Sequence, residues 1–357
     1  MIEYTRFLLS CIVLEVHIWP LDVPWLAFQS VFAFYTLSGY LMTRVLVERY
    51  GFGPRNFVRY MANRVLRLWP AYLVFLGIAA VSVMTLGAAV MAFGQITMPH
   101  NLSGAVVNVT VLGLVGFDFA HFVRMSLVAP TAWSLSVEMF SYVLLGAYFA
   151  RTPRRLAALA LIGAASLAWS TGSCALDLGP PGFYGRYCFQ SGYGVLQSGF
   201  IPFAAGGLLY FHLDRVAAIV ARWWRWLVLA IIVASLVIFL TPVVQFTVSP
   251  YLGIVIIGTI LPFAVRRRGR ATRLQDFFGR ASYHLFIGQW TVAALLAYTT
   301  KLPHDSFPLF LATLAASLAL SLLLVPMERR IERLRRRVAP IGPAQTDVFA
   351  AAPAVTV

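Results

Sequence analysis

The chain has 357 residues, of which 60% are hydrophobic and only 11% are charged. A soluble domain carries about 25% charged residues, so this composition excludes an ordinary soluble protein. The formal net charge is +15, and all but one of the 28 basic residues are arginine. No RNA or DNA motif and no basic stripe interleaved with aromatic residues accompanies this charge, so we expect no nucleic-acid partner.

Long apolar runs follow one another along the chain and decide the fold class. Several reach the roughly 20 residues that are needed to cross a hydrocarbon core of about 30 Å. They predict an all-α, polytopic integral membrane bundle of about ten transmembrane helices in a lipid bilayer. The predicted spans are 7–24, 25–47, 69–92, 131–150, 154–171, 193–212, 226–244, 250–265, 282–300 and 307–327.

The segments between and after the spans have their own character. Residues 48–67 are polar and rich in arginine, and they predict an interfacial helix that leads into the third span. Residues 93–130 predict a long external loop. The whole of 1–337 is interpreted as one transmembrane domain. Residues 338–357 are rich in proline and alanine without periodicity, and they predict a disordered cytoplasmic tail.

The arginines lie between the apolar runs, and their distribution predicts the topology. If the N-terminus is cytoplasmic and ten spans alternate, only Arg124, Arg186 and Lys301 among the basic residues fall outside. An excess of basic residues on the cytoplasmic side is typical of membrane proteins. We therefore expect both termini in the cytoplasm.

The three cysteines, Cys11, Cys174 and Cys188, form neither a C-x-x-C pair nor a zinc-binding spacing. We therefore expect no metal site. In the predicted topology Cys174 and Cys188 share one external loop, where a disulfide and two unpaired thiols are equally compatible with the sequence.

Ionisable side chains inside apolar spans are the first candidates for function, because burying them in a bilayer is costly. His17 in the first span and Glu138 in the fourth reach a similar predicted depth from opposite sides. A carboxylate that orients an imidazole suits general-base catalysis. Two buried polar residues that bond to neighbouring helices would give the same pattern. Glu15 lies about 200° around the helix from His17, which favours a packing or counter-ion role.

A second cluster of candidates is basic. Arg64 and Arg67 are three residues apart and share one helical face just before the third span, and Arg6 lies at the foot of the first span. Guanidinium groups at this level suit phosphate binding, because each offers a planar and permanently charged fork of donors. An ordinary positive-inside flank or a contact with anionic lipid explains the same three residues.

Five motifs follow one another in a fixed order. Arg6 precedes His17 by eleven positions, and four short sequence strings come after this pair. The strings are Leu37-Ser38-Gly39-Tyr40-Leu41, Arg64-Val-Leu-Arg67 before Trp69-Pro70, Trp133-Ser134-Leu135-Ser136-Val137-Glu138 and Gly279-Arg280-Ala-Ser282-Tyr283-His-Leu285. In series, from residue 6 to about 330, they resemble the membrane-bound acyltransferase-3 family.

The sequence departs from the family pattern in three places. The late-span motif usually continues through an aromatic residue and a histidine, whereas this sequence reads Phe286-Ile-Gly288-Gln289-Trp290. The segment 30–34 lacks the usual Asp-x-Phe-Phe, and the closing Glu-Arg-Pro is replaced by the sequence at 328–330. A role for a second histidine in the late span is therefore not expected.

The resemblance implies an integral membrane O-acyltransferase of the bacterial inner membrane, most often an O-acetyltransferase. It implies that Arg6, Arg64 and Arg67 bind the phosphates of a cytoplasmic acyl-CoA, most often acetyl-CoA, which is a donor substrate and not a bound cofactor. His17 would deprotonate the acceptor hydroxyl, and Glu138 would orient His17 or the acceptor. The acceptor would be an envelope polysaccharide, a glycolipid or a small hydroxylated molecule, and separate envelope-biosynthesis proteins could be partners.

Several alternatives stay open at this point. Ser38 could be a nucleophile, a hydrogen-bond donor or a packing residue, and its glycine neighbour favours packing. Trp133 and Ser134 belong either to the acceptor site or to packing. Both direct attack and an acyl-enzyme are compatible with the motifs. The alternative function is a proton-coupled transporter that uses His17 and Glu138 as a relay.

Overall fold

The computed structural model describes residues 1–19, 23, 25–87, 96–115, 128–176, 193–241, 248–266 and 272–338. Within these ranges the regular secondary structure is helical throughout, with eleven α-helices. A π-helical turn at Leu46–Tyr50 and 3-10 turns at Phe149–Arg151 and Leu196–Gly199 join some of them. The α-helices are α1 Ile2–Ile18, α2 Trp25–Val45, α3 Pro54–Leu86, α4 Leu102–Thr110, α5 Ala132–Ala147, α6 Pro153–Leu176, α7 Phe200–Phe211, α8 Leu213–Leu240, α9 Ser249–Arg266, α10 Arg273–Thr300 and α11 Phe307–Val338.

The predicted all-helical class is confirmed, and each predicted span overlaps one of the helices other than α4. Four helical segments are long and apolar enough to cross a membrane by length and composition, namely α2 with its π-helical turn, α3, α8 and α11. α8 exposes Leu229, Ile232 and Leu236, as expected of a helix whose solvent is lipid. The count of ten spans and the cytoplasmic termini stay predictions.

The predicted interfacial helix and the third span form a single helix. Gly51 and Gly53 have φ values of 68° and 136°, which break the chain before α3, and Pro54 begins the helix. From there α3 runs without interruption through Pro70 to Leu86. The two predicted elements are therefore one helix, and Pro70, which ordinarily kinks or ends a helix, lies inside it.

The predicted external loop 93–130 contains α4, which lies deeper than the prediction implies. The Trp69 indole donates to the Val109 carbonyl at 3.0 Å, and the Tyr72 hydroxyl donates to the Asn108 carbonyl. Tyr72 is fourteen residues before Leu86, so the end of α4 lies about 20 Å along the helix axis from the C-terminal end of α3.

The start of α5 is tied to the same depth. The Asn108 side-chain oxygen accepts from the backbone N–H of Val128, four residues before α5 begins at Ala132. Thr131 donates its hydroxyl to the Ile287 carbonyl of α10 at 3.3 Å. The helix that corresponds to the predicted span 131–150 therefore begins well inside the bundle.

α2 lies at the centre of the bundle, and glycines let two neighbours approach its backbone. A Cβ atom at Gly206 of α7 would overlap the Thr36 carbonyl oxygen, and one at Gly253 of α9 would overlap the Gln29 carbonyl oxygen. On α2 itself, a Cβ at Gly39 would overlap the Phe203 carbonyl oxygen of α7. Small residues at such crossings allow close packing of helices without a hydrophobic driving force between them.

α1 and α10 run side by side in the same direction. The Phe7 and Phe278 ring centroids are 4.6 Å apart near the helix starts, and those of His17 and Trp290 are 5.0 Å apart further along. Between these two levels Ser10 donates its hydroxyl to a carbonyl of α10 at 2.8 Å. These contacts therefore fix the register of α1 along α10.

α11 runs in the opposite direction along α10 and is fixed by a buried polar contact. The Glu328 carboxylate lies 2.9 Å from the Arg280 Nε and 3.1 Å from the His284 Nε2. The His284 Nδ1 lies 3.1 Å from the Ser321 hydroxyl. The last turns of α11 therefore lie at the same end of the bundle as the first turn of α1. The predicted tail, apart from Val338, lies outside the described residues.

We predict that Gly206→Ala destabilises the protein by about 2 kcal/mol, because the added methyl group overpacks the contact between α7 and α2. Gly77→Ala on α3 is the matched control, since a Cβ there meets nothing within 4 Å. Alanine at that position should change stability by less than about 1 kcal/mol. Thermal unfolding in detergent measures both variants, and equal midpoints would contradict the close contact.

Candidate active site

A cavity lies between α1, α2, α5 and α10, and we call it the central cavity. Its cavity volume is about 40 Å³, and it is partly open to solvent. Phenylalanine and aliphatic side chains form much of its wall. Its polar lining residues are Arg6, Tyr35, Ser38, Ser134, Glu138, Ser282 and Tyr283. Four of the predicted site residues, Arg6, Ser38, Ser134 and Glu138, therefore meet in one space.

Helical spacing explains how the chain presents these residues to the cavity. Val31, Tyr35 and Ser38 are four and three residues apart on α2, which places them in one stripe. Ser134 and Glu138 are four residues apart on α5, again on one face. Each helix thus turns one polar stripe toward the same space.

Glu138 is hydrogen-bonded within the cavity wall. The Ser38 hydroxyl donates to its Oε1 at 3.0 Å, and the Tyr142 hydroxyl donates to the same oxygen from one turn further along α5. Of the alternatives that the sequence left open for Ser38, the structure shows the hydrogen-bond donor. Its neighbour Gly39 makes the close contact with α7, and Ser38 points toward α5.

Two tyrosines of the cavity support the backbone around it. Tyr35 donates its hydroxyl to the Ser134 carbonyl at 3.3 Å, and Tyr283 donates to the Leu68 carbonyl at 3.0 Å. Trp133 does not belong to the cavity lining, and its ring packs edge-on against Tyr193 at 4.9 Å. The sequence offered a signal for Tyr283, which lies within a motif, but none for Tyr35.

Arginines from three helices converge beside the cavity, and we call Arg6, Arg64, Arg67 and Arg335 the arginine cluster. The Arg67 guanidinium interacts electrostatically with the other three members. Its side chain is exposed to solvent. Arg6 belongs to both the cluster and the central cavity.

Arg64 is the most deeply buried member, with 4% of its surface exposed. Its Nη2 donates to the Asn63 side chain at 2.7 Å, and its Nη1 lies 3.3 Å from the Met42 sulfur. Its guanidinium lies 5.9 Å from the centre of the Tyr60 ring. Among the described residues no carboxylate forms a salt bridge with Arg6, Arg64 or Arg67. The cluster therefore carries a positive charge that the described part of the protein does not neutralise.

His17 lies outside the central cavity. Its ring packs on Trp290, and Gln289 is within hydrogen-bonding reach of the imidazole. The His17 Nδ1 is buried and has no hydrogen-bond partner among the residues that the structure describes. Phe286 and Ile287, which line the cavity, lie one turn before Trp290 on α10.

The structure therefore does not form the predicted pair of His17 and Glu138. Glu138 bonds to α2 and to its own helix, and His17 contacts α10. The depth in the membrane that the sequence predicts for His17 and Glu138 could not identify their partners, because depth does not specify a position around the bundle. Gln289 is a neighbour of His17 that the sequence did not reveal.

Comparison with known proteins gives one match. A family model described as an acyltransferase domain matches residues 2–325 of the chain. No curated protein and no solved structure matches. The matched region contains His17, Ser38, Arg64, Arg67 and Glu138, and it ends before Glu328 and Arg335.

We predict that the arginine cluster gives the central cavity a positive potential. In a variant with the three native cysteines replaced, Ser38→Cys should react at least ~10-fold faster with an anionic methanethiosulfonate than with a cationic one, relative to an exposed Ser103→Cys. Concentrated salt should reduce this preference, because it screens the charges.

The added change Arg6→Gln tests the source of the potential in the same labelling assay. It should lower the preference for the anionic reagent at Ser38→Cys and leave Ser103→Cys unaffected. The same preference at Ser38→Cys as at Ser103→Cys would mean that the field of the cluster does not reach the cavity.

Proposed function

We propose a specific reaction for this chain, which belongs to the membrane acyltransferase-3 family and is an acyltransferase. In this proposal it transfers an acyl group from cytoplasmic acyl-CoA to an acceptor hydroxyl. The acyl group is proposed to be acetyl. The acceptor is proposed to be an envelope polysaccharide, a glycolipid or a related small molecule. The observation that carries the proposal is the continuity of the arginine cluster with a cavity lined by hydroxyl groups and a carboxylate.

The donor would bind at the arginine cluster. The phosphates of acyl-CoA are multiply charged, and partly desolvated guanidinium groups bind phosphate strongly through charge-assisted hydrogen bonds. Arg64 and Arg67 lie beside the cavity, and Arg6 lines it, so a donor bound there can extend its thioester into the space between α2 and α5. A proton-coupled transporter has no need of such a cluster.

His17 is proposed as the general base. The acceptor oxygen would bond to the thioester carbonyl carbon while the carbon–sulfur bond breaks, and the hydroxyl proton would pass to the imidazole. The leaving thiolate of CoA would then take up a proton. Support comes from the buried Nδ1, which lacks a partner among the described residues, and from Trp290 and Gln289, which hold the ring. Phe286 would have to move to bring thioester and imidazole together.

Glu138 receives a different role from the one that the sequence predicted. Since it accepts from Ser38 and Tyr142, we propose that it positions these hydroxyl groups and the acceptor. A serine hydroxyl bonded to a carboxylate is also a geometry in which serine acts as a nucleophile. An acyl-enzyme on Ser38 would retain a labelled acyl group on the protein, whereas direct transfer would not.

The proposed orientation places the arginine cluster at the cytoplasmic side. Ten spans and cytoplasmic termini are proposed from the distribution of arginine, and a bacterial inner membrane is proposed from the family to which the chain belongs. Since the acceptor would be presented from the outer side, separate envelope-biosynthesis proteins are proposed to deliver it or to use the acylated product.

We predict that His17→Ala lowers acyl transfer at least ~100-fold, because general-base catalysis contributes about that much. The assay is release of CoA thiol from acetyl-CoA by the protein in proteoliposomes. Ser141→Ala is the control, since this buried hydroxyl on α5 has no hydrogen-bond partner among the described residues. Wild-type turnover in His17→Ala would rule out the assignment of the base.

We also predict that Arg64→Ala and Arg67→Ala each raise the KM for acyl-CoA about 10-fold or more, while the KM for the acceptor changes less. The reason is the loss of charge-assisted bonds to the donor phosphates. Arg55→Ala, an exposed position in the first turn of α3, should leave both constants near wild type. An unchanged KM for acyl-CoA in both variants would remove these residues from the donor site.

A further inference from the structure

Asn63 joins two guanidinium groups from different helices. Its side-chain oxygen accepts from the Arg64 Nη2 at 2.7 Å and from the Arg335 Nη2 at 2.8 Å. Asn63 is 1% exposed and Arg64 is 4% exposed, so the contact lies inside the bundle. Two like charges that share one neutral acceptor repel each other at short range, and this arrangement favours a bound anion.

Both guanidinium groups have unused donors. The Nε atoms of Arg64 and Arg335 are buried, and neither has a hydrogen-bond partner among the described residues. A guanidinium offers five donors in a fixed fork, and buried donors in folded proteins are nearly always paired. These free donors therefore indicate a ligand rich in acceptor oxygens, and phosphate has both the charge and the geometry.

Among the described residues, one carboxylate forms a salt bridge with this pair of arginines. The Arg335 Nη1 donates to the Glu332 Oε2 at 2.5 Å, and the Glu332 side chain is 44% exposed. Arg64 and Arg67, by contrast, make no salt bridge with any described residue. The partly exposed Glu332 therefore accepts from one donor of the Arg64–Arg335 pair, and a phosphate could take its place there.

The position of Arg335 is set by the packing of α11. Ser321, Glu328 and Arg335 are each seven residues apart, so they lie on one face of the helix. Ser321 and Glu328 contact His284 of α10, which fixes this face toward the interior. Arg335 then arrives beside Asn63 two turns later, whereas its neighbour Arg336 is 79% exposed in its side chain.

We propose that Asn63, Arg64 and Arg335 form a phosphate subsite, and that Glu332 occupies part of it until a phosphate of the donor takes its place. The inference rests on the proposed function, in which the donor is acyl-CoA. It goes further in giving the C-terminal part of α11 a role in donor binding. Both the 3′-phosphate and the diphosphate of CoA have the required chemistry, and anionic lipid headgroups share it.

The test is calorimetric binding of CoA and of 3′-dephospho-CoA to the full-length protein in nanodiscs. Arg335→Gln should weaken CoA binding about 10-fold or more, the effect of losing a charge-assisted hydrogen bond. Arg336→Gln is the matched control and should change it less than ~2-fold, because its only described partner is Glu332. Glu332→Gln should tighten CoA binding, since it removes the competing carboxylate.

The outcomes separate the sources of the phosphate. A loss in Arg335→Gln for CoA alone assigns the subsite to the 3′-phosphate, and an equal loss for both probes assigns it to the diphosphate. Either result supports the proposal. If the loss appears only in discs with phosphatidylglycerol and not in phosphatidylcholine, the subsite binds lipid and the proposal is wrong.

Two further results would overturn it. If the wild-type protein binds CoA and Arg335→Gln binds it as tightly as Arg336→Gln does, the inference fails while the proposed function stands. If the wild-type protein does not bind CoA, both fail. Should Arg335→Gln not fold, Arg335→Lys and Glu332→Gln provide the test, because a purely structural ion pair predicts no gain in affinity when Glu332 is neutralised.

Discussion

Mutual repulsion among the guanidinium groups of the arginine cluster is the constraint on which this end of the bundle depends. Charges of one sign separate unless the surrounding structure holds them, and here three different helices do so. α3 presents Arg64 and Arg67 from one continuous helix, and Asn63 accepts from Arg64 and Arg335 together. The buried contact of Glu328 with α10 keeps α11 in register. A polyanionic ligand that binds between these groups would relieve their repulsion.

Close helix packing complements this electrostatic constraint. On α2, Gly39 meets the backbone of α7 while Ser38 donates to Glu138 of α5. Adjacent residues of a helix point about 100° apart, so one turn can fix the helix against one neighbour and present a hydroxyl to another. The position of the hydroxyl is thus as well defined as the backbone contact. A side chain on a mobile loop could not achieve this.

The sequence predicted the features that depend on composition and helical spacing. The apolar runs located the helices, and the spacing of Arg64 and Arg67 placed them on one face. The partner of Glu138 could not be predicted, because depth along a helix leaves the angle around the bundle undetermined. Arg335 was hidden in a run of arginines whose members differ only in the packing of α11. α4 was not predicted as part of the bundle because the apolar stretch of this segment is too short, and too rich in polar and turn residues, for a membrane span.

The inward position of α4 has a consequence for the thickness of the barrier. Backbone that is not helical occurs inside a bilayer only where protein or water covers it. The end of α4 and the chain before α5 lie beside Trp69 and Tyr72, a few residues from Arg67. In the proposed orientation, the distance along α3 from this backbone to Arg67 is only a few residues, much less than the thickness of a membrane. Under the proposed function, an acceptor that reached this backbone from the outer side would lie close to the donor, and it would need no solubility in lipid.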